Sequence, residues 1–247
     1  MNNEYCPQYT NGNPVFFKTP FSSAYWKSAF AETKKIRMLI LAAFVIVLRV
    51  AIEKLSIPVG VDLEIRFTYF VNAVGSMVYG PVLGLLTGAV TDTISAVFFP
   101  SPGMVYFFPY IFIEMAGSFI FGLFLYRAPI SAVRTILSRF SVVFICNLIM
   151  SPIVYIYYAR MMYGKNKAFM SIFLPRVAKN LLLWPAESFL LVLFLGATIP
   201  VLIKIKVIPG QALNMKITTK HIMILAALFL VSAASVCYYY FKYIYGV

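Results

Sequence analysis

Glycines stand at positions 80, 84 and 88, and an aspartate stands at 92. On an α-helix this spacing of four draws one stripe that drifts slowly about the axis. The helix carrying it has a face without side-chain bulk that ends at a carboxylate. The surrounding residues, GPVLGLLTGAVTDTISAVFF from Gly80, are apolar. In lipid such a face admits a second helix backbone to backbone, and an ionisable group in an apolar helix faces a partner or a cavity. The stretch Phe98-Phe99-Pro100-Ser101-Pro102-Gly103 ends this helix, and Tyr106-Phe107-Phe108-Pro109 follows. That uncharged segment fits either an aromatic interface belt or a set of stacking surfaces over a site that Asp92 lines.

Composition settles the solvent. The chain is 62% hydrophobic and 12% charged, which a soluble domain could not display without a large sticky surface. Spans of about 20 residues fit the apolar segments six or seven times. The sequence predicts membrane helices over about 36–55, 67–79, 82–99, 104–126, 137–158 and 172–203, with a candidate seventh at 221–245. Gly80-Pro81 makes the turn between the second and third. The implied domains are an N-terminal arm with an interfacial amphipathic helix over 1–35, a membrane domain over 36–205, and a loop plus candidate helix over 206–247. Residues 1–21 carry Pro7, Pro14 and Pro20 and lack an apolar core, so the first span is expected to do the targeting. Ser22 or Ser23 caps a helix from Ala24 to Lys35 that suits the anionic inner leaflet. Cys6, Cys146 and Cys237 have no metal or redox spacing and read as small fillers.

The net charge of +13 is distributed as the positive-inside rule expects of a membrane protein, and no nucleic-acid partner is expected. With the N-terminus inside, Lys18, Lys27, Lys34, Lys35 and Arg37, then Arg127, Arg134 and Arg139, then Lys204, Lys206, Lys216 and Lys220 lie in inner segments. Arg160, Lys165, Lys167, Arg176 and Lys179 break the pattern, because they fall outside with no acid among them. Two readings explain them: capture of an anionic solute, or a single loop tolerated as an exception to the rule. A helical rise of about 1.5 Å per residue puts Arg49, Arg66, Asp92, Arg176, Lys179, Asn180 and Trp184 in the outer half, beside the aromatic loop. Glu114 and Glu187 fall nearer mid-membrane, where an ion pair or a ligand contact are equal readings.

Several chemistries lack their signatures. There is no phosphate loop, no HExxH, no GxSxG and no metal spacing, and His221 is the single histidine. No enzyme activity, cofactor or metal is expected, and uphill transport would need a partner or an ion gradient.

The segments LRVAIEKLSIPVGVDLEIRF from Leu48, VNAVGSMVYGPVLGLLTGAVTD from Val71, FFPSPGMVYFFP from Phe98, GLFLYR from Gly122 and RVAKNLLLWPAESFLL from Arg176 carry a resemblance. The chain resembles the substrate-binding S components of energy-coupling factor (ECF) vitamin transporters, most closely the folate-specific members. The resemblance implies an all-α six-helix bundle in a bacterial cell membrane. It also implies uptake of folate or reduced folates with a membrane T component and two cytoplasmic ATPases. By position it points to Arg49, Arg66, Phe107, Phe108, Arg176, Lys179 and Asn180 as the ligand shell, with arginine forks for the glutamate carboxylates and aromatic stacking for the pterin. Asp92 or Glu187 would accept from the pterin nitrogens, and Trp184 lies in the same half. Family members carry an Ala-x-x-x-Ala pair for docking the T component, for which Ala43 and Val47 stand here. Gly80, Gly84 and Gly88 serve close packing, within the bundle or against that partner. Other readings are an S component for riboflavin or thiamine, a small membrane enzyme acting on an anionic lipid, and a structural scaffold.

Overall fold

The computed structural model describes residues 9–10, 13–14, 16–17, 19–53, 55–60, 63–100, 105–164, 166, 168–208 and scattered positions between 223 and 241. Two-residue strands β1 (Tyr9–Thr10) and β2 (Asn13–Pro14) pair in the N-terminal arm. Helix α1 is Ser23–Glu32 and α2 is Ile36–Glu53. Strands β3 (Ser56–Gly60) and β4 (Leu63–Arg66) form an antiparallel hairpin, which the periodicity of the sequence did not announce. Helices α3 (Thr68–Phe98), α4 (Ile111–Leu125), α5 (Ala132–Val142), α6 (Ser151–Tyr163) and α7 (Phe169–Lys204) follow.

Helix α3 is one element only by name. Gly80 adopts φ 84° and ψ 178° inside it, a backbone that glycine reaches without a Cβ clash. Pro81 restarts the helix at a position where its missing N–H costs nothing. The two arms fold back on each other. A Cβ built on Gly84 would lie 3.4 Å from Ser76 Oγ, the Tyr79 and Thr87 hydroxyls are 3.0 Å apart, and Thr68 lines the same cavity as Asp92 and Ser95. The expected turn is therefore present. Helices α5 and α6 are continuous through a π-helical stretch, Val143–Met150, which widens the backbone just ahead of Pro152 and relieves the clash a proline makes with the preceding turn. This rod runs over Ala132–Tyr163, longer at both ends than the 137–158 predicted. Among the described residues, α2, the two arms of α3, α4, the α5–α6 rod and α7 give the bundle six helical segments, and four helices, Thr68–Phe98, Phe108–Leu125, Ala132–Tyr163 and Leu183–Lys204, are long and apolar enough to cross a membrane.

The glycine stripe is consumed inside this bundle. A Cβ on Gly80 would meet the Tyr126 ring at 3.1 Å, on Gly84 the Ser118 carbonyl oxygen at 3.2 Å, and on Gly88 the Glu114 carbonyl oxygen at 2.7 Å. Gly122 of α4 returns the contact, with its Cβ position 2.5 Å from Pro81 Cα. The three stripe glycines thus seat α3 on α4, and their assignment as a partner-docking face is corrected. Ala43 and Val47 of α2 behave otherwise, since both are exposed on the outside of the bundle.

Helix α1 is also not free on a lipid surface. Ser22 Oγ accepts from the Tyr25 N–H, fixing its start. Its inward residues Tyr25, Ser28, Ala29 and Glu32 are buried. The Tyr25 hydroxyl donates to the Gly122 carbonyl at 3.0 Å, and Glu32 takes Arg127 at 2.8 Å, Lys35 at 2.9 Å and the Tyr126 hydroxyl at 3.1 Å. The helix is clamped to the basic end of the bundle. The main core lies behind it, with Met38, Val45, Tyr79, Phe121, Leu125, Leu191, Leu195 and Ile199 in one cluster. Cys146 is buried in that cluster. Of the candidate seventh helix, the described positions between Met223 and Phe241 are helical; the remainder, like Ser101 to Met104, Lys165 and Lys167, lies outside the described residues.

Candidate functional site

The second arm of α3 carries Asp92 about 18 Å from the Gly80 turn, away from the basic end. Around it lies a cavity of about 70 Å³ lined by Arg49, Glu53, Arg66, Thr68, Thr91, Asp92, Ser95 and Glu114. Its walls come from α2, β4, both arms of α3, and α4. The structure thus brings Arg49, Arg66 and Asp92 together as the sequence predicted, and adds Glu53 and Glu114. Arg49 is buried, binds the Glu114 carboxylate, and donates to Ser118 Oγ at 3.4 Å. Glu53 accepts from the Ser95 hydroxyl. Asp92 Oδ2 is shielded from solvent and has no hydrogen-bond partner among the described residues. With three carboxylates facing two guanidiniums, and one guanidinium held by Glu114, the chamber is rich in acceptors.

A second cluster lies one turn along α4. Tyr110 stands four residues before Glu114, the spacing that places two side chains on one face. The Phe107 ring packs edge-on to Tyr110 at 6.1 Å and to Tyr158 at 5.5 Å. The Val105 N–H donates to the Tyr158 hydroxyl at 3.2 Å, tying the loop to α6. Arg176 donates to the Ser151 hydroxyl and lies 5.5 Å from the Tyr155 ring centroid. Asn180 donates to the Arg176 carbonyl and accepts from Asn147, each at 2.8 Å. Lys179 is partly buried on the same stretch of α7. Phe107, Arg176 and Asn180 therefore join a tyrosine-rich wall that the sequence reading did not name. Phe108 does not, because a 3₁₀ turn over Phe108–Tyr110 points its exposed ring toward Phe112 at 5.6 Å.

The third set is a buried ion pair. Arg139 donates to Glu187 at 2.6 Å, both nearly inaccessible, and the guanidinium stacks 4.2 Å over the Tyr69 ring. The Tyr69 hydroxyl donates to the Glu187 carbonyl at 3.3 Å. Glu187 is thus held by an internal partner, which corrects its reading as an open ligand acceptor. Arg139, expected in an inner loop, is a core residue for the same reason. Trp184 packs edge-on to Phe140 at 5.3 Å, and its indole N–H has no partner among the described residues.

Among the described residues no three His, Cys, Asp or Glu side chains converge as a metal site would require. The architecture is that of a helical membrane protein whose helices close around a charged chamber, with a separate aromatic cluster about Phe107, Tyr110 and Tyr158. The chain belongs to the family described as ECF transporter, substrate-specific component, whose model matches residues 35–195. It is 28% identical to a folate transporter, FolT, from Clostridium novyi (strain NT) over 156 residues, covering 63% of this chain and 86% of that one. Its fold is similar to the crystal structure of FolT bound with folic acid, with a TM-score of 0.52 at 24% identity over 62% of this chain and 88% of that one.

Proposed function

We propose that this chain binds folate or a reduced folate from the outer side and presents it, as the specificity subunit, to a T component and two ATPases. The observation that carries the reading is the similarity to a folate transporter along 86% of that protein's length. The site's chemistry supports it. Folate joins a flat head with an amine and ring N–H donors to a tail with two carboxylates. The acceptor-rich chamber suits the head, with Asp92 offering an open oxygen and a carboxylate able to take two parallel donors. The tail suits Arg176, the neighbouring Lys179, and the rings of Phe107, Tyr110, Tyr155 and Tyr158, which also stack the aromatic linker. Arg49 then acts as counter-ion to Glu114 and sets the chamber's charge, a change from its assignment as a carboxylate fork.

The chamber is far smaller than the roughly 300–1,000 Å³ that a ligand of this size occupies. Calorimetric titration of the purified chain with folic acid, riboflavin and thiamine side by side tests the proposal. Saturable heat with folic acid alone is expected. Stronger binding of riboflavin or thiamine, or no heat from any of the three in well-folded protein, would overturn it.

A further inference from the structure

Helix α1 lies ahead of the family match, which begins at residue 35, and its outward face has no role in the site. The clamp through Tyr25 and Glu32 fixes which face that is. Phe21, Lys27, Phe30 and Lys34 point away from the bundle and are exposed. The Arg37 guanidinium at the start of α2 donates to the Lys206 carbonyl at 3.1 Å, so the end of α7 stands beside it. Arg37, Lys204 and Lys206 are exposed as well. Glu32 is the single acid in residues 21–37 and the stretch 204–208 contains none, and Glu32 is buried under Arg127 and Lys35. Among the described residues the result is a basic surface with no opposing exposed charge, edged by the apolar side chains Phe21, Phe30, Ile36 and Ile205. Trp26 of α1 stacks on Phe119 of the membrane-spanning α4 at 6.1 Å, which sets the patch at the membrane boundary.

We infer that α1, the start of α2 and the end of α7 together form a binding surface for anionic phospholipid headgroups of the inner leaflet. Charge complementarity selects the occupant. Lysines and arginines beside an anionic leaflet are attracted by its surface potential, while exposed aromatic rings enter the headgroup–acyl boundary. Because α1 is tied to Gly122, Tyr126 and Arg127, a lipid held there braces the α3–α4 contact that carries Asp92 and Glu114.

The test uses the full chain in a zwitterionic detergent, titrated with phosphatidylglycerol or phosphatidylcholine while thermal unfolding is followed. Phosphatidylglycerol should raise the melting temperature and phosphatidylcholine should not. The K27Q/K34Q double variant should need about 25-fold more phosphatidylglycerol for half the effect, at about fivefold per lost charge. R160Q, which removes an exposed charge at the opposite end, should respond as wild type. An equal response in wild type and K27Q/K34Q, an equal response to both lipids, or an equal loss in R160Q would each overturn the inference.

Discussion

Replacing Gly88 with alanine places a methyl group 2.7 Å from the Glu114 carbonyl oxygen, 2.9 Å from its carbon and 3.0 Å from Met115 Cα. All three are backbone atoms of α4, so no side-chain rotation relieves the clash and the two helices must separate. Overpacking of this kind costs about 1–3 kcal/mol. Alanine recovers about 0.5–1 kcal/mol of helix propensity over glycine, leaving a net loss of about 0–2.5 kcal/mol, centred near 1 kcal/mol. Gly117 on α4 provides the control. The nearest atom to its Cβ position, Cys146 Sγ, is 3.9 Å away, so Gly117→Ala keeps the propensity gain and stabilises by about 0.5–1 kcal/mol. Gly84, with its closest contact at 3.2 Å, should fall between them. The consequence reaches the site, because the carbonyl that Gly88 abuts belongs to the residue holding Arg49. Gly88→Ala should weaken folate binding while Gly117→Ala leaves it unchanged. Thermal unfolding in detergent and folate titration on the three variants measure both effects. Equal stability of Gly88→Ala and Gly117→Ala would refute the argument that α3 and α4 meet through bare backbone.

Three further outcomes follow from particular contacts. Arg139→Ala leaves Glu187 charged and unpaired in the core and should destabilise the chain by about 3–5 kcal/mol, whereas removing both charges with Arg139→Leu and Glu187→Leu should recover much of that loss in the same unfolding assay. Arg176→Ala should cost about 2–5 kcal/mol of folate affinity if the guanidinium meets a desolvated ligand carboxylate, and Arg176→Lys should restore it only in part; calorimetry with near-wild-type affinity in both would move the tail elsewhere. Ala43→Trp, on the outward face of α2, should leave folate affinity of the isolated subunit intact and abolish co-purification with the T component, and retained folate uptake in cells would exclude that face as the docking surface.

What the sequence could disclose depended on how local the cause was. The Gly80-Pro81 turn was legible because both residues act through their own backbone, and the stripe was legible because its spacing is a property of one helix. Spacing states that something approaches closely but not what, and so α4 and an external partner remained equal occupants until Gly122 was seen against Pro81. Charge misled for a related reason. Arg134 fell outside the predicted fifth span and Arg139 was counted with the inner basic residues, because hydropathy registers a charge without its partner. In the bundle, Arg134 Nε donates to the Phe124 carbonyl at 2.5 Å and Arg139 meets Glu187, 48 positions away. Phe107 and Phe108 are chemically alike and adjacent, and only the 3₁₀ turn beginning at Phe108 separates a wall of the site from an exposed ring. The tyrosines at 110, 155 and 158 were invisible as a group because Tyr110, in the turn ahead of α4, meets the α6 pair Tyr155 and Tyr158 only in the folded bundle.

The most direct measurement divides the ligand as the site is divided. Folic acid, a bare pterin and p-aminobenzoylglutamate are titrated into wild type, Asp92→Asn and Arg176→Ala. The account predicts that Asp92→Asn weakens folic acid and the pterin while sparing p-aminobenzoylglutamate, and that Arg176→Ala weakens folic acid and p-aminobenzoylglutamate while sparing the pterin. The reverse pattern would place the carboxylate tail in the chamber beside Arg49, and indifference of folic acid to both substitutions would contradict the site altogether.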